Sequence, residues 1–161
     1  MTNPNSQYVT PEVFPVRGPV NYVPATYYQL RGGGTRRHEG HDIVAPTGTP
    51  VISATPGIVR RVYRNAQVEG NGVLIVDAQG AMHGYFHFES APLVYEGQEI
   101  RAGTLLGYVG STGRANGPHL HYQIERGGRR YNASEKLLDL LETDRLAGRI
   151  PPSRYMPWRR G

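Results

Sequence analysis

The six histidines of this 161-residue chain fall into three short segments. The segments are HEGHD at 38–42, HGYFHF at 83–88 and HLH at 119–121. Imidazole is the side chain that can both bind zinc and transfer protons near neutral pH. The clustering therefore indicates a metal site or an acid–base site built from these segments.

The third segment places two histidines at strand spacing. Side chains at i and i+2 of a strand point to the same face, so His119 and His121 would lie together while Leu120 faces the core. Two protonated imidazoles repel each other, and the pair is more stable when one binds a metal and the other stays neutral. An isolated HxH string is more often a pair of surface histidines, so its interpretation depends on the other segments.

The first segment offers His38 and Asp42, four residues apart, with Gly40 between them where the chain can bend tightly. Imidazole nitrogen and carboxylate oxygen are both zinc ligands. The helical zinc motif HExxH begins at His38 but fails, because position 42 is Asp and not His. The competing interpretation of a lone HxxxD string is a surface loop. We expect His41 to point away and not to bind the metal.

The second segment would place Tyr85 and His87 on one strand face, with His83 beside them if no bulge intervenes. His87 is nearest the following turn, where the rim of a site would lie, whereas His83 is more simply a core or edge histidine.

Taken together, the segments supply His, Asp and His as three ligands and leave a fourth position for water, which is typical of catalytic zinc sites. Two further histidines remain for proton transfer or for holding an oxyanion.

Strands and turns must position these segments, since the chain contains 21 Gly and 13 Pro and its apolar runs are short. The run GVLIVDA at 72–78 predicts a strand buried on both faces. Further strands are predicted at 81–88, 105–109 and 119–126. A weak repeat, in which 48–51 resembles 97–100, is typical of a β-sandwich built from similar hairpin motifs.

One helix is predicted from Ser134 to Ala147, with Ser134 as the N-cap and Gly148 as the stop. Its apolar stripe, expected to pack on the sheet, consists of Leu137, Leu138 and Leu141. The predicted organisation is a flexible N-terminal segment over 1–13, one folded domain over 14–133, and a helix with an Arg- and Pro-rich tail over 134–161.

Composition restricts the possible classes further. The formal net charge is +5, and Lys136 is the only lysine among 18 basic residues. A basic surface suits nucleic acid, an anionic membrane or an anionic wall polymer, and charge alone does not choose among them.

Cysteine is absent, which excludes disulfides and cysteine catalysis. No run approaches the length of a membrane span. The first residues lack the pattern of a secretory signal, so we expect export by another route or a trimmed mature form.

The three histidine strings, read with their surroundings, resemble the lysostaphin-type (LytM-like) family of zinc metallopeptidases. The resemblance covers roughly residues 14–133. It is carried by HEGHDIVAPTGTPVISATPGIV, by GNGVLIVDAQG and by GYFHFESAPLVYEGQEIRAGTLLGYVGSTGRANGPHLHYQI, whose Ser-Thr-Gly and Gly-Pro-His-Leu-His strings are the most specific. The chain departs from the family pattern before His38, where the family's Phe-Gly-x-Arg-like signature is replaced by Tyr-Gln-Leu-Arg-Gly at 28–32.

The resemblance implies an all-β fold, an antiparallel β-sandwich with a substrate groove. It implies one zinc ion bound by His38, Asp42 and His121, with His87 and His119 as the catalytic pair. The implied activity is hydrolysis of peptide cross-links in bacterial peptidoglycan, outside the cytoplasm at the cell wall or in the periplasm. The implied partner is therefore peptidoglycan and not nucleic acid, and a phage lysin or virion-borne enzyme is one expected source.

Two other classes of protein compete with the peptidase. A non-catalytic wall-binding or hydrolase-activator protein on the same fold is the main alternative, although such relatives typically lose ligands that are present here. A lipoyl-like or phosphotransfer carrier is suggested by EGQEIRAGTLLG at 96–107. A lipoyl domain would carry its lysine in a hairpin, whereas Lys136 lies in the predicted helix.

Overall fold

The computed structural model describes residues 11–22, 30–31, 36–37 and 39–151, with the backbone alone for 30–31 and 36–37. Expectations that fall on 1–10, on His38 and on 152–161 lie outside these ranges. The strands are β1 Asn21–Tyr22, β2 Leu30–Arg31, β3 Arg36–Arg37, β4 His41–Val44, β5 Pro50–Ile52, β6 Gly57–Ala66, β7 Gly70–Val76, β8 Met82–Phe88, β9 Glu99–Ile100, β10 Leu105–Tyr108, β11 His119–Arg126 and β12 Arg129–Tyr131; the helix is α1 Ser134–Leu146.

A large antiparallel sheet has the strand order β1-β4-β11-β8-β7-β6-β9, with β12 paired to β11. Two smaller sheets are formed by β5 with β10 and by β2 with β3. Over the described ranges the chain is thus mostly antiparallel β-sheet with one C-terminal helix, as the sequence predicted. Strand β11 is central to the site because it lies between β4 and β8, the strands that carry the other two histidine segments.

The hydrophobic core is built from residues of both the large sheet and the β5–β10 pair. Strand β11 alternates strictly, with Leu120, Tyr122 and Ile124 buried and the residues between them partly exposed. Val51 and Leu106 fill the core from the smaller sheet, where both are fully buried. The alternation confirms the prediction that the two histidines of HLH share the face opposite the core.

Helix α1 packs into the same core through Leu137 and Leu141. The predicted stripe was wrong at Leu138, which is 41% exposed and faces solvent. The predicted N-cap was wrong by one residue: Ala133 is the N-cap, and Ser134 is the first helical residue. Asn132 takes the role of a capping side chain, because its Oδ1 accepts hydrogen bonds from the Ser134 N–H and hydroxyl.

The helix end is joined to the N-terminal segment by a carboxylate. Asp144 is nearly buried and pairs with Arg17 at 2.5 Å and with Arg149 at 2.8 Å. Two guanidinium partners satisfy this carboxylate and so offset the cost of its burial. Within the described ranges, no helix has the length and apolar character needed to cross a bilayer.

Candidate active site

Strands β4, β11 and β8 bring the three segments together by their register. His121 is paired with Asp42 on one side and with Phe86 on the other. Since directly opposed residues of an antiparallel pair point to the same face, these three side chains share one surface of the sheet. His119, two residues before His121, extends the same surface toward the end of the strand.

Four polar side chains meet on this surface. Asp42 Oδ1 lies 3.3 Å from His121 Nδ1 and 3.6 Å from His119 Nε2. The His87 ring centroid is 4.9 Å from that of His119 and 6.0 Å from that of His121. The side chains of Asp42, His119 and His121 are between 14% and 19% exposed, so a substrate and water can reach them.

His87 reaches the site through an unusual backbone conformation. Its φ is +73°, in the left-handed region that non-glycine residues seldom adopt. The β7–β8 pairing is irregular at this end, between Asn71 and Val73. Such strain is characteristic of functional sites, where surrounding contacts maintain it. Here the His87 N–H is held by the Glu69 carbonyl at 2.9 Å.

The expectation that Tyr85 and His87 share one face was wrong, whereas His83 does share a face with Tyr85. Tyr85 and His83 are fully buried on the core side of β8. His83 bonds to Asp77 Oδ2 through Nε2 and to the Tyr122 hydroxyl through Nδ1, at 2.8 and 2.7 Å. The left-handed residue breaks the alternation of the strand, so that His87 follows Phe86 on the side of the site.

The orientation of the His87 ring is fixed by a backbone carbonyl. Nδ1 donates to Thr112 O at 2.8 Å, which leaves Nε2 as the acceptor nitrogen of the neutral ring. Burial, and then the neighbouring His119 and His121, lower the pKa of His87 to about 4. His87 is therefore neutral at neutral pH and able to accept a proton. The His119 ring is oriented similarly, since its Nδ1 donates to Gly117 O at 2.9 Å.

The His121 ring has close neighbours on one face, at its Cε1–Nε2 edge and at both nitrogens. Phe86 stacks on it with a centroid distance of 5.8 Å and an interplanar angle of 15°. Gly40 lies against it, and a Cβ added there would be 2.6 Å from Nε2. Nδ1 faces Asp42, and Nε2 lies 2.9 Å from Gln123 Oε1. This ring has little freedom to rotate or flip.

His41 lies on the opposite side of β4, as expected for a histidine that does not bind metal. It is fully buried. The Ala133 N–H donates to its Nε2 at 3.1 Å, so Nδ1 donates to the Tyr22 hydroxyl at 2.8 Å. His41 thus joins β4 to the N-terminal segment and to the start of α1.

The donor set at this surface suits a zinc ion in its chemistry. Asp42 Oδ1 and His121 Nδ1 approach each other at a separation typical of two ligands that share a metal. The described residues do not by themselves contain three potential ligands close enough to hold a metal ion. The third ligand expected from the sequence, His38, lies outside the described residues.

Sequence reasoning missed the residues that orient the site histidines. Thr112 and Gly117 act through backbone carbonyls, which no side-chain motif reveals. The Thr112 hydroxyl also donates to Phe88 O at 2.6 Å and accepts from the Asn71 N–H at 3.0 Å. The Ser-Thr-Gly string was the available signal for this loop. Gln123 could have been found from its i+2 spacing after His121.

The fold and the site define a β-sheet protein with a histidine- and carboxylate-lined site of the hydrolase type. The chain belongs to peptidase family M23, whose sequence pattern it matches over residues 36–133. Its structural neighbours are peptidases of the lysostaphin type, so the resemblance drawn from the sequence strings is confirmed.

Three similar proteins illustrate the relationship. The peptidoglycan DD-endopeptidase ShyA of Vibrio cholerae is 42% identical over 96 residues, which cover 60% of this chain and 22% of that protein. The catalytic domain of the prophage-encoded M23 protein EnpA of Enterococcus faecalis superposes with a TM-score of 0.63 at 31% identity, covering 71% of this chain and 89% of that one. A zinc-containing peptidase of Vibrio cholerae superposes with a TM-score of 0.63 at 27% identity. The match covers 78% of this chain and 39% of that one.

The related enzymes of Vibrio cholerae and Neisseria meningitidis are much longer proteins. The chain spans between 22% and 26% of the length of the Vibrio cholerae and Neisseria meningitidis enzymes that it matches. The shared part is the peptidase domain, which includes the site described above.

Proposed function

We propose that this chain is a zinc-dependent endopeptidase that hydrolyses peptide cross-links of bacterial peptidoglycan. The observation that carries the proposal is the convergence of Asp42 and His121 with His87 and His119 on one accessible surface of the sheet. A wall-binding protein has no need of two further imidazoles oriented beside a ligand pair. Membership of a peptidase family and similarity to peptidoglycan endopeptidases support the same activity.

The proposed ligands of one zinc ion are His38, Asp42 and His121. Zinc bound there would supply a water molecule of lowered pKa and would polarise the scissile carbonyl. The solved structure of a related zinc-containing peptidase supports the choice of this metal. With cysteine absent from the chain, histidine and carboxylate are also the ligands that its composition offers.

His87 and His119 are the proposed catalytic pair. Each ring donates its Nδ1 proton to a backbone carbonyl, so each can accept a proton at Nε2 when neutral. One ring takes a proton from the attacking water. The other, when it carries a proton on Nε2 as well as on Nδ1, donates a hydrogen bond from Nε2 to the oxygen that becomes negatively charged. Glu39, the carboxylate nearest in sequence, is exposed and is not given the role of base.

The proposed place of action is the cell wall or periplasm, outside the cytoplasm. Relatives named as peptidoglycan DD-endopeptidases support a wall substrate, and the formal net charge of +5 favours adsorption to anionic wall polymers. A prophage-encoded protein among the similar structures supports a phage lysin or virion-borne enzyme as the particular role.

The decisive experiment incubates the purified protein with peptidoglycan sacculi in the presence and absence of a zinc chelator. Mass spectrometry of the released fragments identifies the bond that is cut. We expect chelator-sensitive loss of cross-linked muropeptides, restored by added zinc. Intact cross-links in the presence of bound zinc would contradict the endopeptidase and favour a non-catalytic wall-binding or activator role.

A further inference from the structure

We infer that Gln123, oriented by Arg130, is a positioning residue that fixes which nitrogen of His121 is available to the metal. This inference rests on the proposed function, since it concerns the zinc ligand set. It assigns roles to two residues that lie outside the three histidine segments, and it follows from hydrogen bonds that connect them to the His121 ring.

The orientation of the Gln123 amide is determined by its second partner. Arg130 Nη1 lies 2.8 Å from Gln123 Oε1. A guanidinium group is only a donor, so the amide atom facing it must be the carbonyl oxygen. The same oxygen lies 2.9 Å from His121 Nε2, which must therefore carry the proton and donate it. The tautomer of the His121 ring thus follows from Arg130, which is connected to it by two hydrogen bonds through Gln123.

With its proton on Nε2, a neutral His121 presents the lone pair of Nδ1 toward Asp42. The Nδ1–Oδ1 separation of 3.3 Å is longer than the 2.9 Å bond at Nε2, as expected where two acceptors face each other. A cation between them would bind both atoms. If Gln123 did not hold the proton at Nε2, Nδ1 could be protonated and bond to Asp42, which would occupy both ligand atoms.

Arg130 is itself fixed from three directions. Its Nε donates to Glu125 Oε2 at 3.0 Å, and its Nη1 also reaches the Glu39 carbonyl at 3.4 Å. Arg130 therefore connects the β11–β12 hairpin to the segment that leads into Asp42. Partners of this kind, bound to the second nitrogen of a ligating histidine, orient the ring and raise its affinity for metal.

The test compares zinc affinity, measured by competition with a chromophoric chelator, in Gln123→Leu, Gln123→Glu and Arg130→Met. We expect Gln123→Leu to bind zinc about 10- to 100-fold more weakly than wild type. Gln123→Glu should retain the affinity, because a carboxylate accepts from both His121 and Arg130. Arg130→Met should weaken binding in the same direction, since the amide can then rotate. Gln79→Leu, in the exposed β7–β8 turn, is the matched control and should bind like wild type.

A second readout examines the metal-free wild-type protein. Nitrogen-15 NMR of the His121 ring, at about pH 9 where imidazoles are neutral, should show Nε2 protonated and Nδ1 unprotonated. A ring protonated at Nδ1, or a folded Gln123→Leu protein with undiminished zinc affinity, would overturn the inference. The tautomer is measured without metal or substrate, so its outcome is separate from any failure of the proposed peptidase activity.

Discussion

The His121 ring occupies the space that a side chain at Gly40 would need. Gly40 precedes Asp42 by two residues, and the imidazole, which stacks on Phe86, lies close to its backbone. The glycine of the HEGHD segment thus has a steric role: it admits a proposed zinc ligand from a strand far away in sequence. The sequence had indicated only a tight bend at this position.

Gly40→Ala should reduce both zinc affinity and activity. The added Cβ would lie 2.6 Å from His121 Nε2, and the ring cannot retreat without losing its stacking on Phe86 or its bond to Gln123. A displacement on the order of 1 Å can reduce a catalytic rate about 100-fold. Sacculus digestion and zinc titration measure the two effects, and thermal unfolding checks that the variant is folded. Unchanged activity would show that the ring can shift without consequence.

Substitution of the two histidines of HLH should separate metal binding from catalysis. His121→Ala is expected to lose both zinc and activity, because it removes a proposed ligand. His119→Ala should retain most of the zinc and lose activity by about 100- to 10,000-fold, the range for a general acid or base. Metal content by atomic absorption, measured beside activity, distinguishes the outcomes. An active His119→Ala enzyme would refute the catalytic assignment.

His87→Asn should abolish most activity while preserving the fold. Asparagine tolerates the left-handed conformation that His87 adopts at φ +73°, so this variant removes the imidazole with little added backbone strain. We expect a loss of about 100- to 10,000-fold with zinc retained. His87→Val is the contrasting variant, since a β-branched residue is strained at positive φ. A larger fall in melting temperature for valine than for asparagine would report the strain separately from the chemistry.

Asp77 should contribute to stability in a pH-dependent way. Burial acts to raise its pKa, but the hydrogen bonds from His83 and from the N–H groups of Ala81 and Gln79 outweigh it and lower the pKa below the usual value. The stabilisation is therefore present above about pH 4, the pKa of an unfolded aspartate, and is lost as the pH falls through the lower folded value.

The corresponding variant is Asp77→Asn, whose free energy of unfolding is measured by urea titration from neutral to acidic pH. At neutral pH we expect it to be less stable than wild type by about 1–3 kcal/mol, because His83 loses a charged acceptor. The difference should shrink on acidification, as wild-type Asp77 becomes protonated. A difference in unfolding free energy that does not change with pH would show that the Asp77 charge does not stabilise the fold.

The sequence by itself determined the strand content and the sheet face of the HLH pair. Strict alternation in β11 follows from the period of two along a strand, so His119 and His121 could be placed opposite Leu120 without a structure. The helix could be located from its stop signal and leucine spacing. Its N-cap and outer face were predicted wrongly, because Asn132 supplies the capping side chain in place of Ser134 and Leu138 is exposed to solvent.

Only the tertiary structure decided how the site is oriented. The β4–β11–β8 register sets His121 beside Asp42, although 79 residues separate them along the chain. The positive φ of His87 depends on its long-range backbone partner, so alternation alone misplaced Tyr85 beside it. The tautomer inferred for His121 follows from the hydrogen bonds of Gln123 to His121 and to Arg130. Residue types can indicate which groups are capable of the chemistry, but distance and tautomer arise from pairing between distant segments.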